Sequence, residues 1–303
     1  MYYTNNVTNL FTPRKQRGFF MSKTYTIQGF EGSFHQMAVA KYTGNKASVI
    51  CCATFAETFN LTKNNPTCHG AVVAIENSIA GSILPNYTLL QQSKLYIVGE
   101  IYLPIKQHLL ANHGVSLAQI KEVHSHPMAL LQCSKYLDAT HFKLVETDDT
   151  ALSAKYIQHH KHTTKAAIAS SLAASLYNLQ ILVPNIHTNA NNYTRFLILE
   201  KQKLTLTNDC NKATIYFAAQ HTIGSLAKVL TLIAKEGINL SKLQSFPVAG
   251  SNFNYYFYAD IEFDTPKQFI TINSILQKNT INYKVLGVYK NGKRNNTTKT
   301  NKK

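Results

Sequence analysis

The 303-residue chain holds no apolar run approaching a membrane span, which takes about 20 consecutive apolar residues, so no membrane association is expected. Its N-terminus lacks the apolar stretch of a secretory signal. Cysteine is sparse. Cys51, Cys52, Cys68, Cys133 and Cys210 show no metal-ligand spacing, and an odd count with an adjacent pair does not suit a disulfide framework. They read as reduced thiols of a cytoplasmic protein. No segment recurs at a fixed period. Histidine is more plentiful. Yet neither His124 and His126 nor the run His159, His160 and His162 has a carboxylate or cysteine at an established spacing, so no metal is expected.

Acidic residues are also few, 15 against 31 lysines and arginines, for a formal charge of +16. Nine of those cations (Arg14, Lys15, Arg17, Lys290, Lys293, Arg294, Lys299, Lys302 and Lys303) sit in polar ends that carry no acid, leaving +7 on the body. A basic tail of this kind reads as solvated, not as a nucleic-acid arm. The remaining charge suits a small anionic substrate. With 45% hydrophobic and 15% charged residues the composition is globular, and the length suffices for two domains.

Periodicity places a strand at Thr24–Gln28 running into a Gly29/Gly32 turn, a helix over His35–Tyr42, and a doubly buried strand at Ala71–Ile75. Further strands are expected at 96–101, 121–124, 166–169, 180–183 and 194–199, and helices at 127–137, 148–158 and 170–177. This alternation over 23–203 argues an α/β domain with parallel pairing. After the polar stretch 201–211, the order strand, helix, strand, strand, helix, strand in under eighty residues is a ferredoxin-like βαββαβ unit.

Three clusters could carry chemistry. Glu76, Asn77 and Ser78 leave the carboxyl end of a buried strand, where open α/β sheets hold ligands; the alternative is a polar turn with a helix cap. Ser125 stands at a helix start with Gln132 two turns further on; alternatively these are an N-cap and a surface amide. Thr194 and Arg195 precede an apolar strand, a hydroxyl beside a guanidinium; alternatively this is a turn with a chance basic residue.

Ordered strings over residues 24–290 resemble the prephenate dehydratase family. They are Q-G-F-E-G-S-F (28–34), A-I-E-N-S-I-A-G-S (74–82), I-V-G-E-I-Y-L-P-I (97–105), S-H-P-M-A-L-L-Q-C (125–133), D-T-A-L-S-A-K (149–155), A-A-I-A-S-S-L-A-A-S-L-Y (166–177) and N-Y-T-R-F-L (192–197). The resemblance implies a two-lobed catalytic domain over 23–203, of the periplasmic-binding-protein type II kind, with chain crossings near 103 and 190. It also implies an ACT domain over 211–290, carrying G-S-L (224–226) and G-I-N-L-S-K-L (237–243). Residues 1–22 are then a disordered extension, with Met21 an alternative start, and 291–303 a disordered basic tail. Fewer than 25 residues precede the first strand, so no chorismate mutase domain is expected there.

By the same resemblance the chain is a carbon–oxygen lyase acting on prephenate without a metal or organic cofactor. Thr194 would donate a hydrogen bond to the leaving hydroxyl, and Glu76 would be the proton donor. Arg195 would anchor the pyruvyl carboxylate and Phe196 would supply an apolar wall. Asn77, Ser78, Ser125, Gln132 and Thr150 would line the same cleft. Arogenate is an alternative substrate, and a non-catalytic two-lobed amino-acid- or anion-binding protein an alternative role. A dimer or tetramer through the ACT domain is implied, with phenylalanine bound near Gly224, Ser225, Leu226, Gln244 and Ser245. The family string E-S-R-P reads Gln244-Ser245-Phe246-Pro247 here. Without its acid and base, phenylalanine binding is expected to be weak.

Overall fold

The computed structural model describes residues 23–220, 222–247 and 255–293. The extension expected over 1–22, and 294–303 of the expected tail, lie outside the described residues. The tail's first residues are not free. Asn291 donates to Glu262 Oε1 at 2.9 Å and the Gly292 amide to Glu100 Oε1 at 3.0 Å.

The first lobe runs through β1 (Lys23–Gln28), α1 (Phe34–Thr43), β2 (Ala47–Cys52), α2 (Phe55–Asn64), β3 (Gly70–Asn77), β4 (Gly81–Ser82), α3 (Leu84–Ser93) and β5 (Tyr96–Pro104). The chain then crosses into a second lobe: β6 (His108–Ala111), β7 (Glu122–Ser125), α4 (Pro127–Gln132), α5 (Ser134–Leu137), β8 (Lys143–Glu146), α6 (Thr150–His159), β9 (Lys165–Ala169), α7 (Ser171–Leu176) and β10 (Gln180–Val183). It returns as β11 (Tyr193–Glu200). The C-terminal unit follows as β12 (Lys212–Ala218), α8 (Ser225–Lys235), β13 (Asn239–Pro247), β14 (Tyr255–Glu262), α9 (Pro266–Asn279) and β15 (Ile281–Tyr289). The single helix expected over 127–137 is two, because the backbone at Cys133 leaves helical geometry.

The second lobe has its own sheet, ordered β10-β6-β9-β7-β8. The other strands form one sheet, β13-β14-β12-β15-β5-β11-β3-β1-β2, with β4 paired to β3. Pairing is mixed, not the parallel arrangement expected. β11 comes back from the second lobe and inserts antiparallel between β3 and β5. The C-terminal strands keep the 4-1-3-2 order of a ferredoxin-like unit. That unit joins the first lobe edge to edge, Gly287 on β15 pairing with Ile97 on β5. Glycine is required there, since a Cβ would sit 2.1 Å from the Ile97 carbonyl oxygen.

Residues 70–75 of β3 are all buried, because the strand is covered on both faces. Val72 and Ala74 pack with Phe196 and Ile198 on one face, and Val73 and Ile75 with Leu197 and Leu199 on the other. Each fully buried aliphatic side chain contributes about 1.5–3 kcal/mol, so strand and register are strongly held. The register slips once. Arg195 pairs with Glu76 but Phe196 pairs with Ala74, leaving Ile75 as a bulge.

Candidate active site

A cleft of about 410 Å³ opens between the lobes. β3 and β11 supply Ala74, Asn77, Thr194 and Phe196; the N-terminal part of α1 supplies Phe34 and His35; the second lobe supplies His126, Gln132, Asp149 and Thr150. Two hydroxyls of the second lobe hold the opposing loop of the first. Ser170 donates to the Gly32 carbonyl at 2.6 Å and Tyr177 to the Glu31 carbonyl at 2.7 Å. Gly32 has φ +88, and a Cβ there would lie 3.0 Å from Ala173 Cα, so the two lobes meet backbone to backbone.

At the centre of the cleft, Asn77 determines what Thr194 can do. Asn77 Oδ1 accepts from the Ile79 and Ala80 amides, both at 2.9 Å. That fixes the amide's orientation, so its nitrogen faces β11. Asn77 Nδ2 donates to Thr194 Oγ1 at 3.0 Å, and also meets Asn192 Oδ1 at 2.8 Å and the Tyr193 carbonyl at 3.2 Å. Because Thr194 Oγ1 accepts from Asn77, its own proton remains available to a ligand. Thr194 is only 8% exposed, which strengthens any hydrogen bond it makes.

Glu76 and Arg195 are not in this cleft. Side chains alternate along a strand, so Arg195 points away from Thr194 and Phe196. The bulge at Ile75 turns Glu76 to that same far face while returning Asn77 to the cleft. Both line a second cavity of about 440 Å³, against the C-terminal unit. There Arg195, 4% exposed, donates from Nε to Glu100 at 2.7 Å, from Nη1 to Asp260, and from Nη2 to Tyr289 Oη at 3.1 Å. Lys212 adds contacts of 3.1 Å to both Glu100 oxygens. Burial opposes the charge on Asp260, but Arg195 and Lys212 hold its carboxyl below the usual range. Glu76 pairs with Lys242 at 2.8 Å and lies 3.9 Å from Arg195. The placement departs from two expectations: Arg195 and Glu76 line the far cavity and not the cleft that holds Thr194.

The remaining expected residues divide. Gln132 and Thr150 line the cleft. Ser125 is fully buried and donates to the Ile168 carbonyl at 2.7 Å, while His126 caps α4. Ser78 lines the far cavity and braces the entry to β11, donating to the Asn191 carbonyl and accepting from the Tyr193 amide, each at 2.9 Å. In the C-terminal unit Ser225 and Leu226 line a cavity of about 310 Å³ beside Phe257, at the helix start where Gly224 has φ +77. Gln244 and Ser245 are not in that lining. Phe246 packs on Tyr258 and on Tyr87 of the first lobe, with ring centroids 5.1 and 5.3 Å away.

Sequence reading missed much of the cleft lining, His35, Asp149 and Gln107 among it. His35 accepts from the Ala74 amide at 3.3 Å and packs on Phe55 and Phe196; burial pushes its imidazole down to about 4, so it is neutral at pH 7. Asp149 caps α6, its Oδ1 accepting from the Ala151 and Leu152 amides at 2.7 and 2.9 Å, and burial raises its carboxyl above the usual range. Its place in D-T-A, one residue before a helix, was the available signal. Gln107 carried no signal at all. Among the described residues no group of three or more His, Cys, Asp or Glu side chains is arranged to hold a metal ion, and no helix is long and apolar enough to cross a membrane.

The family model described as prephenate dehydratase matches residues 25–204. The chain is 36% identical over 245 residues to the Arabidopsis thaliana protein named arogenate dehydratase/prephenate dehydratase 2, chloroplastic, covering 78% of this chain and 64% of that one. It thus spans slightly under two thirds of that relative's length. The structure of prephenate dehydratase in complex with L-Phe from Arthrobacter aurescens matches with a TM-score of 0.79 at 26% identity, covering 89% of this chain and 91% of that chain. A solved structure described as GqqA, a novel type of quorum quenching acylase, matches with a TM-score of 0.81 at 28% identity, covering 90% and 100%.

Proposed function

Since the chain belongs to the prephenate dehydratase family, we propose that it converts prephenate to phenylpyruvate, CO2 and water. The observation that carries this reading is the Asn77–Thr194 pair. A buried hydroxyl whose lone pair is engaged and whose proton is free is suited to a leaving oxygen. As the ring C–O bond breaks, charge develops on that oxygen and the Thr194 hydrogen bond strengthens. The electrons of the departing ring carboxylate complete the aromatic ring as CO2 leaves. Hydroxide departure consumes one proton. With Glu76 on the far face, Asp149 is the cleft carboxyl whose burial favours the protonated form. Phe34, Phe55 and Phe196 give the departing carboxylate an apolar surround.

The reaction is tested with purified protein given prephenate or arogenate in separate assays, following phenylpyruvate and phenylalanine. Turnover of prephenate at least tenfold better than arogenate is expected, and the reverse preference would reassign the substrate. An acylase reading has less support. The cleft hydroxyls of Thr194 and Ser33 are engaged with Asn77 and the Gln36 amide, not with a histidine or carboxylate base.

The C-terminal βαββαβ unit reads as an ACT domain through which the protein self-associates as a dimer or tetramer, in the cytoplasm and without nucleic acid. Its topology and the Gly224 helix start support the ACT reading of the unit. Phenylalanine feedback is weak or absent in this reading, since Phe246 fills the arginine position of the family string and packs against Tyr87. Calorimetry with L-phenylalanine should detect no binding below millimolar concentration; micromolar binding with strong inhibition would refute it.

A further inference from the structure

With Arg195 on the far face, the described lining of the cleft has no guanidinium. Among the described residues its lining contains no lysine or arginine, and its carboxylates are Asp148 and Asp149. The lining offers hydrogen-bonding groups in place of a lysine or arginine, among them Gln107, Gln132, Thr150 and His126. Gln107 is built for this. It lies on the segment that crosses from β5 to β6, is 2% exposed, and lines the cleft. Its Oε1 is buried without a partner, and neither end of the amide bonds to another described residue. Its backbone is held in place. The Gln107 carbonyl accepts from the Ile186 amide at 2.9 Å, and the Ile105 amide donates to the Asn192 carbonyl at 2.8 Å, tying the outgoing crossing segment to the returning one. The side chain is thus held at the cleft without an internal bond to offset its loss of water, a state buried polar groups rarely keep.

We infer that Gln107 is a substrate-binding residue, its amide hydrogen-bonding the retained keto-acid side chain where a guanidinium would otherwise stand. This rests on the dehydratase reading above. The retained group is the productive partner. A donor on the departing ring carboxylate would stabilise the charge that has to leave, whereas a bond to the retained group acts equally in ground and transition states. Gln107 therefore governs KM and not kcat. An amide also offers an acceptor, so it tolerates an ammonium on an aminated substrate. The competing occupant is a bound water that satisfies Gln107 Oε1.

The test is Gln107→Leu, with Gln107→Met as a second apolar variant of unbranched shape. Steady-state kinetics on prephenate and thermal melting are measured for each. KM should rise about tenfold or more with kcat within about threefold, and Tm should stay level or increase, because an unpaired buried amide has been removed. Gln107→Glu should raise KM further at neutral pH and recover partly as the pH falls, since a carboxylate repels the anionic substrate. An unchanged KM with a lowered Tm in both apolar variants would overturn the proposal and make Gln107 a water-bound structural amide. Absence of turnover by the unaltered protein would instead overturn the dehydratase reading.

Discussion

On the cleft side of β3 and β11, Thr194 keeps a free hydroxyl proton and Gln107 an unpaired amide. On the opposite side Arg195, Glu100, Lys212 and Asp260 are paired with one another. The two faces share the same strands, a few ångströms apart. The difference separates two uses of buried polarity. Groups with unmet hydrogen-bonding capacity are ready for a ligand, whereas a closed ion network fixes how the C-terminal unit sits on the first lobe. A charged residue beside a catalytic one in sequence can therefore belong to the second use.

The contrast breaks most sharply at Asp260. Asp260→Asn leaves Glu100 as the one carboxylate within 3.5 Å of Arg195 and Lys212, with Glu76 and Glu262 at 3.9 and 4.0 Å, and removing a partner from a buried ion network typically costs about 3–5 kcal/mol. Denaturant unfolding should show that loss, while KM for prephenate changes by less than about twofold. A large rise in KM would mean that the far face also binds substrate. Thr194→Ala should do the opposite, lowering kcat by at least about a hundredfold with little change in the unfolding midpoint; near-normal turnover would remove Thr194 from the mechanism.

Asp149→Asn sharpens the comparison within the cleft. Asparagine still caps α6, so the fold should persist, but kcat should fall at least about tenfold if the carboxyl supplies the proton. The alkaline limb of the kcat profile assigned to it should also vanish. The smallest effect at neutral pH concerns His35. Its folded pKa of about 4 lies below the ordinary 6.5, so the fold favours the neutral ring. Its contribution is fully present above pH 6.5 and is lost as the pH falls from there through about 4, on the order of 3 kcal/mol. Unfolding curves across that range should show the loss, and His35→Gln, which keeps an acceptor for the Ala74 amide, should flatten it.

Much of the fold was legible because periodicity marks it. The apolar run in β3 and the βαββαβ order of the C-terminal unit stand close to where pattern reading puts them. The Thr- and Asn-rich α2 and the four-residue β8 carry too little pattern to announce themselves. The site was legible in location but not in orientation. Thr194 and Arg195 are adjacent in sequence, and the pleat alone puts them on opposite faces. For Glu76 even the pleat misleads, because strict alternation from Ala74 would place it in the cleft. A bulge at Ile75 reverses that, and nothing in the string A-I-E-N marks it. Gln107 was invisible for a related reason: its significance lies in a bond it does not make.

The insertion of β11 between β3 and β5 also constrains the order in which the molecule can assemble. The first lobe cannot complete the middle of its sheet until the chain has travelled through residues 105–192 and come back. The second lobe, by contrast, is one continuous stretch whose ends meet at the Ile105–Asn192 hydrogen bond. Its contacts are the more local, and local contacts close faster than distant ones. During refolding its amides should gain protection from hydrogen exchange first. β3 and β5 would wait as unpaired edges until β11 arrives, and the interval before that arrival is when the chain is most exposed to pairing with another copy of itself.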